Sequence, residues 1–370
     1  MFPRALFAGV FSLSLLAQSP DAMLTPAKNE HRLTCTVTPV KPVMSFSFSF
    51  QSGFVLAVPA RQFAGAPGQV RIIVRVAGRN AEPVYYSRTM AYHGVPANTR
   101  YTARTSGGWL LGEGDYDVAF AFIDSQNRAC RKRWTVHARR NRSERGIPME
   151  IPPNTVVSFQ SLSIPQPAHT AGPPRRLTVL MHVTPMSVWR LGLRPGDTMR
   201  LLGTLRSVMR HGSFTEVRVV AFNLDQQAVF FRTDHLDTAS WHQLERAMSG
   251  LQLYTVPISV LQRPRGEVDV LTRLAAEEAS ATPRSDAVLF LGAPDRSDTK
   301  LNEPERESLA PALGLPVYYF ELRPYWGRGA DFPDLVEHVV KNLGGRTLRI
   351  HSSADLAAAI KALDETNPGA

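Results

Sequence analysis

Four residues combine a reactive side chain with a spacing that could do chemistry. His182, Thr184 and Ser187 accompany the end of the apolar run 177–183, and Asp295 follows the apolar run 287–291. Imidazole, hydroxyl and carboxylate groups at the ends of strands would gather at the carboxyl edge of a sheet, where open α/β sheets bind their ligands. An enzyme built there would work around His182, Ser187 and Asp295; a binding module would use the same edge as a contact surface.

Familiar catalytic signatures do not occur. Neither run is followed by Gly-x-x-x-x-Gly-Lys-Ser/Thr or Gly-x-Gly-x-x-Gly, no Gly-x-Ser-x-Gly elbow is present, and the 10 His are scattered without a His-Glu-x-x-His pair. Glu277-Glu278 and the Glu303, Glu305, Glu307 series read as solvated helix positions. No cofactor and no metal are expected, and the expected class is non-catalytic. A sugar-binding platform using Trp109 is a third reading, although the alternation of Phe46, Phe48 and Phe50 with serines points to core packing.

The elements that would position these groups fall into two halves. The 370 residues exceed one ordinary domain. Met1 to Ala22 has one basic residue, Arg4, an apolar stretch from Ala5 to Ala17 and a small-residue exit, the layout of a secretory signal peptide, with cleavage after Ala17 or Ala22. No later run is long enough for a membrane anchor, so the chain is expected to be exported, periplasmic or secreted. Cys35 and Cys130 are the only cysteines, and in an oxidising compartment they are either bridged to each other or two lone thiols.

Residues 30–140 have an apolar period of two, broken by Gly, Asn, Asp and Ser clusters such as Gly78-Arg79-Asn80 and Gly112-Glu113-Gly114. Six to eight short strands at that spacing predict an antiparallel β-sandwich. Residues 141–175 are basic and then Pro-rich and read as a linker, in which 156–164 alternates and could return one strand to the sandwich. From residue 176 to 370 strands and helices alternate: strands at 177–183, 217–222, 228–231, 287–291, 317–322 and 348–350, and helices at 197–211, 238–248, 267–279, 331–343 and 353–363. That order predicts a mostly parallel, Rossmann-like doubly wound sheet covered on both faces.

The net charge of +10 is concentrated in one place. Residues 128–145 hold Arg128, Arg131, Lys132, Arg133, Arg139, Arg140, Arg142 and Arg145 against Glu144 alone, which is +7 of the total. An anionic envelope component or an acidic protein partner would be met at this basic joint, or else the charge keeps a strand edge from aggregating. The helices of the second half carry mixed charge and export removes a genomic partner, so no nucleic acid is expected.

Two resemblances follow from these runs. Gly112-Glu113-Gly114-Asp115-Tyr116-Asp117-Val118 resembles the late strands of immunoglobulin-like secreted sandwiches. The second half resembles the von Willebrand factor type A (VWA) domains of exported bacterial proteins: an apolar first strand, a loop bearing hydroxyls, a long first helix, a close pair of strands and a late strand followed by an acidic loop. That family holds a metal with Asp-x-Ser-x-Ser after the first strand, a Thr from a second loop and an Asp after the fourth strand. Here His182 stands where the leading Asp would be, the fourth-strand loop reads Gly292-Ala293-Pro294-Asp295, and a middle Thr would fall near Thr255. The resemblance therefore implies the fold with a degenerate metal loop at His182, Thr184, Ser187 and Asp295, acting as a binding or scaffold module.

Overall fold

A computed structural model describes residues 19–65, 67–158, 174–187, 192–253, 255–295, 297, 299–309, 314–323 and 333–365. The expectations for residues 1–18 and for the Pro-rich stretch 159–173 lie outside them. The described residues are mixed α/β with three sheets.

Two sheets form the first half. The order β1 (His31–Arg32), β8 (Arg128–Ala138), β7 (Gly114–Asp124), β4 (Gly68–Gly78), β5 (Val84–Tyr92) makes one, and β2 (Thr36–Met44), β3 (Phe50–Pro59), β6 (Thr102–Leu111), β9 (Val156–Val157) the other. All pairings are antiparallel except that of β1 with β8. β7 explains the layering. Tyr116, Val118, Phe120 and Phe122 enter the core on one face, while Ala119 and Ala121 on the other lie beneath Leu24 of a short helix α1 (Pro20–Leu24). The Tyr116 hydroxyl donates back to the Gly112 carbonyl at 2.9 Å and to the Thr155 carbonyl at 3.1 Å.

The start of the expected linker is corrected. Residues 141–158 are packed: Ile147, Ile151 and Val156 are buried, β9 pairs with β6, and a Cβ on Gly112 would collide with the Pro152 carbonyl. Prolines made this segment read as extended spacer, but Ile147, Ile151 and Val156 are buried and Met149 packs against the core.

The third sheet has the order β12 (Ala228–Thr233), β11 (Glu216–Asn223), β10 (Arg176–His182), β13 (Ala287–Gly292), β14 (Val317–Leu322), β15 (Arg346–Ile350), parallel apart from β12. Chain order turns back between β10 and β13. Helices α2 (Pro195–His211), α3 (Thr238–Ser249) and α8 (Ser353–Asp364) bury one face of this sheet; α5 (Gly266–Ala279) and α7 (Leu335–Asn342) bury the other. The helices α4 (Ile258–Leu261) and α6 (Glu303–Leu309) are short. Caps place several ends: Asp237 accepts from Ser240 N at the start of α3, and Ser352 from Asp355 N at the start of α8. Among the described residues no helix is long and apolar enough to cross a membrane.

The two halves share one apolar cluster. Its bridge is the turn between β2 and β3, where strand alternation was expected instead. Ser45, Ser47 and Ser49 satisfy one another there, with hydroxyl separations of 2.9–3.2 Å, and Phe48 adopts a φ of 49°. Phe46 and Phe48 therefore leave the sheet and dock on α2: Ser207 donates to the Phe46 carbonyl at 2.7 Å, and the Phe48 ring lies 5.2 Å from that of His211. Glu150 closes the junction against His211 at 2.8 Å and Arg206 at 3.3 Å.

Candidate functional site

The turning point between β10 and β13 brings His182 and the Asp295 loop together. His182 pairs in register with Gly292, and a Cβ at Gly292 would stand 2.5 Å from the His182 carbonyl, so the glycine permits the approach. The imidazole Nδ1 lies 3.2 Å from the Ala293 carbonyl, and the ring stacks on Phe222 with centroids 5.4 Å apart. His182 and Thr184 are each only 2% exposed. The loop they begin is tied to β11, since Asn223 Nδ2 donates to the Val183 carbonyl at 2.9 Å. Ser187, farther along, is half-buried.

Asp295 meets a residue that the sequence reading missed. Its Oδ1 accepts from Leu335 N at 2.9 Å and Ser297 N at 3.2 Å, while Asp334 Oδ1 accepts from Val336 N at 3.0 Å and Asp295 N at 3.5 Å. Asp334 Oδ2 accepts from the Tyr319 hydroxyl at 2.9 Å. Burial, and then the charge of Asp334, push the Asp295 carboxyl up to about 8. Asp334 is also raised, chiefly by burial, and Tyr319 is held protonated mainly by burial. The arrangement is a carboxyl pair that retains a proton near neutrality and clamps the first turn of α7. Nearby, Ser297 donates to Glu267 at 3.1 Å, and burial raises Glu267. The sequence reading sets Asp334 inside a helix at 331–343; in the structure it caps α7 instead, accepting from Val336 N.

These residues do not fit the hard cation of the resembling family. Such an ion needs ionised oxygen donors. Here a buried imidazole replaces the leading carboxylate, and Asp295, raised by burial and by Asp334, is engaged with two backbone amides. Among the described residues no group of three or more His, Cys, Asp or Glu is arranged to hold a metal ion. Thr255 lies beyond α3, whereas the loop that follows β11 begins at Leu224.

The other expected groups are distributed as follows. Cys35 and Cys130 form a disulfide with Cα atoms 6.0 Å apart, joining the leading edge of β2 to β8 of the other sheet. Trp109 is 1% exposed and stacks on Tyr86 at 5.9 Å, so it offers no glycan platform. The basic joint carries its own counter-ions. Arg128 pairs with Asp124 at 2.7 Å, Arg131 with Glu30, Arg139 with Asp115 at 2.8 Å and Arg140 with Glu113 at 2.9 Å; Lys132 donates to the Val37 carbonyl at 2.7 Å. Arg133 and Arg142 remain exposed. The antiparallel neighbour β7 and its turn supply three of those four carboxylates, which a window of eighteen residues in sequence does not contain.

No protein-family model matches the chain, and no curated protein matches it. Among solved structures it is similar to an aerotolerance-related membrane protein from Bacteroides fragilis, at 15% identity over 52% of this chain and 97% of that one, with a TM-score of 0.31. It is similar to the conserved hypothetical protein BatB from Bacteroides thetaiotaomicron, at 12% identity over 52% of this chain and 96% of that one, TM-score 0.29. It is also similar to proximal thread matrix protein 1 from the mussel byssus, at 11% identity over 51% and 47% of the two chains, TM-score 0.30. Likenesses this remote carry no argument about activity.

Proposed function

We propose that this is an exported, non-catalytic binding or scaffold protein, in which an immunoglobulin-like sandwich is fused to a VWA-like α/β domain with a degenerate metal loop. The strand order β12-β11-β10-β13-β14-β15 supports the second part of the reading, because numbered within the domain it is 3-2-1-4-5-6, the doubly wound order. The bond from the Tyr116 hydroxyl back to Gly112 supports the first, since it has the form of the tyrosine corner of such sandwiches.

One observation carries the non-catalytic part. The groups at the turning point are spent on structure: His182 against Ala293 and Phe222, Asp295 and Asp334 on the α7 amides. What such an edge offers a partner is the half-buried Ser187. Calorimetry with Mg²⁺, Mn²⁺ and Ca²⁺ should give no binding in the micromolar range, and capture from an envelope fraction should retain a partner with the full chain and lose it with Ser187→Arg. Micromolar metal binding, or capture indifferent to Ser187→Arg, would overturn the reading.

The rival is an enzyme using the Asp295–Asp334 pair, favoured by the raised carboxyl of Asp295. Asp334 is 1% exposed, which leaves substrate no approach to it. A hydrolytic activity abolished by Asp295→Asn in a fully folded variant would establish the rival.

A further inference from the structure

A cleft of about 1230 Å³ opens where the β-sheet half meets α2, α3 and α8. Its floor is apolar and comes from both halves: Phe46, Phe50 and Leu110 from the first, Leu202, Trp241 and Met248 from the second. At its lip Val43 is 59% exposed. The volume exceeds the roughly 1,000 Å³ at the upper end of compact ligand sites. The walls are held in place by the Ser207–Phe46 hydrogen bond and the Glu150 contacts, so the cleft is formed before any ligand arrives.

The charged groups around it are unequal in number and in commitment. Four arginines line the cleft, Arg139, Arg194, Arg200 and Arg206, against Glu144 and Glu245. Both carboxylates are engaged: Glu144 accepts from Asn141 N at 3.0 Å, and Glu245 accepts from Trp241 Nε1 at 3.0 Å and faces His242 at 3.0 Å. Arg139 and Arg206 face Asp115 and Glu150. The guanidinium of Arg194, exposed ahead of α2, has no carboxylate partner among the described residues; only the backbone N–H of Arg194 meets one, donating to Asp197 Oδ2 at 3.0 Å. An apolar floor with an uncommitted guanidinium at its rim is complementary to a molecule with an apolar chain and an acidic head.

We propose that the cleft binds a single-chain amphiphile with an anionic head, a long-chain carboxylate or alkyl phosphate, its chain on the Phe46–Trp241 floor and its head at Arg194. The test uses the full chain with dodecanoate, dodecyl phosphate and dodecyltrimethylammonium, and reads tryptophan quenching by 12-bromododecanoate. Both anionic probes should bind saturably in the micromolar range, and the cationic probe about tenfold more weakly. A preference between the two anions then assigns the head as carboxylate or phosphate. Trp241→Phe should abolish the quench, and Arg194→Glu should weaken the anions about tenfold. Val43→Asp, at a position 59% exposed, should weaken binding of the alkyl chain with an unchanged thermal midpoint, and it decides the matter if Trp241→Phe does not fold. Absence of saturable binding below the micelle concentration, equal binding of cationic and anionic probes, or quenching unchanged by Val43→Asp would overturn the proposal.

Discussion

Asp295 and Asp334 come from different loops and hold the same helix end, Oδ1 of Asp295 on Leu335 N at 2.9 Å and Oδ1 of Asp334 on Val336 N at 3.0 Å. Two carboxyls at one set of amides cannot both ionise cheaply in a buried place. The carboxyl edge of the third sheet is thus built around a retained proton, and its stability follows that proton.

Asp295 is raised from 3.8 to about 8, so between those values the folded state binds a proton that the unfolded chain has released. Its stabilising contribution is complete at acid pH and is lost as pH rises through about 8. Asp295→Asn keeps an oxygen acceptor for Leu335 and carries no charge. Urea unfolding at about pH 5 and about pH 8 should show a wild-type loss on going up that the variant lacks, with the variant ahead by at least about 1 kcal/mol at the higher pH. Wild-type stability that climbs across this interval, with the variant parallel to it, would contradict the retained proton.

Glu150 works in the opposite sense. Burial pushes its carboxyl up, but His211 and Arg206 together outweigh burial and hold it below the ordinary 4.5. A depressed acid contributes stability above its unfolded pKa and loses it as pH falls through the folded one. Glu150→Gln leaves Arg206 and His211 facing a neutral amide at the junction and should cost about 3 kcal/mol near neutrality. The difference from wild type should shrink below about pH 4, which acid titration of both proteins checks.

The junction should make the molecule unfold as one unit. Gly203 of α2 faces the β2–β3 turn so closely that a Cβ would lie 3.3 Å from Ser47 N and 3.5 Å from the Phe46 carbonyl carbon. Gly203→Leu drives a branched chain into that contact and should cost about 1–3 kcal/mol. Calorimetry should give a single transition for wild type, and a lowered or split one for the variant. Two transitions in the wild-type protein would mean that the halves are energetically separate.

The Cys35–Cys130 bridge closes a chain separation of 95 residues and spans both sheets of the first half. Constraint of the unfolded chain by a loop of that size is worth about 4–5 kcal/mol on the entropy model. The Cys35→Ser, Cys130→Ser double variant should therefore unfold at a markedly lower urea concentration than the oxidised wild type. Wild type in reductant should match the variant. An intact mass measured after thiol labelling without reductant, showing two labels, would remove the bridge.

Much of the second half is legible in sequence because its elements are punctuated. Gly212 and Gly250 end α2 and α3, Ser352 caps α8, and apolar runs buried on both faces mark β13 and β14. Proximity in space is less legible. His182 was expected beside Asp295; β10–β13 pairing sets it against Gly292 and Ala293 of that loop, while the partner of Asp295 is Asp334, from a loop 39 residues beyond it. The Phe46–Phe50 alternation has the period of a strand yet forms a turn, because three serine hydroxyls satisfy one another and free the rings to pack on α2. The charge of the basic joint is equally deceptive in one dimension, since its carboxylates lie on neighbouring β7, its turn and Glu30.

The contacts of α1 bear on where the proposed leader would be cut. The two expected cuts were after Ala17 and after Ala22. The Ser19 hydroxyl accepts from Ala22 N at 3.3 Å, Asp21 accepts from the Tyr85 hydroxyl at 2.6 Å and faces Arg75 at 3.6 Å, and Leu24 is buried on Ile73, Ala119 and Ala121. Residues 19–22, which the leader was expected to include, thus belong to the folded sandwich, and a cut after Ala22 would remove the cap and the acid while leaving Met23 and Leu24 without a helix. If the chain is exported as proposed, N-terminal sequencing of the processed protein should begin at Gln18. A Met23 start would show that these contacts are not part of the native state, and an unprocessed Met1 would instead count against export itself. Asp21→Ala should cost at most about 1 kcal/mol, because the Asp21 side chain is itself largely solvent-exposed.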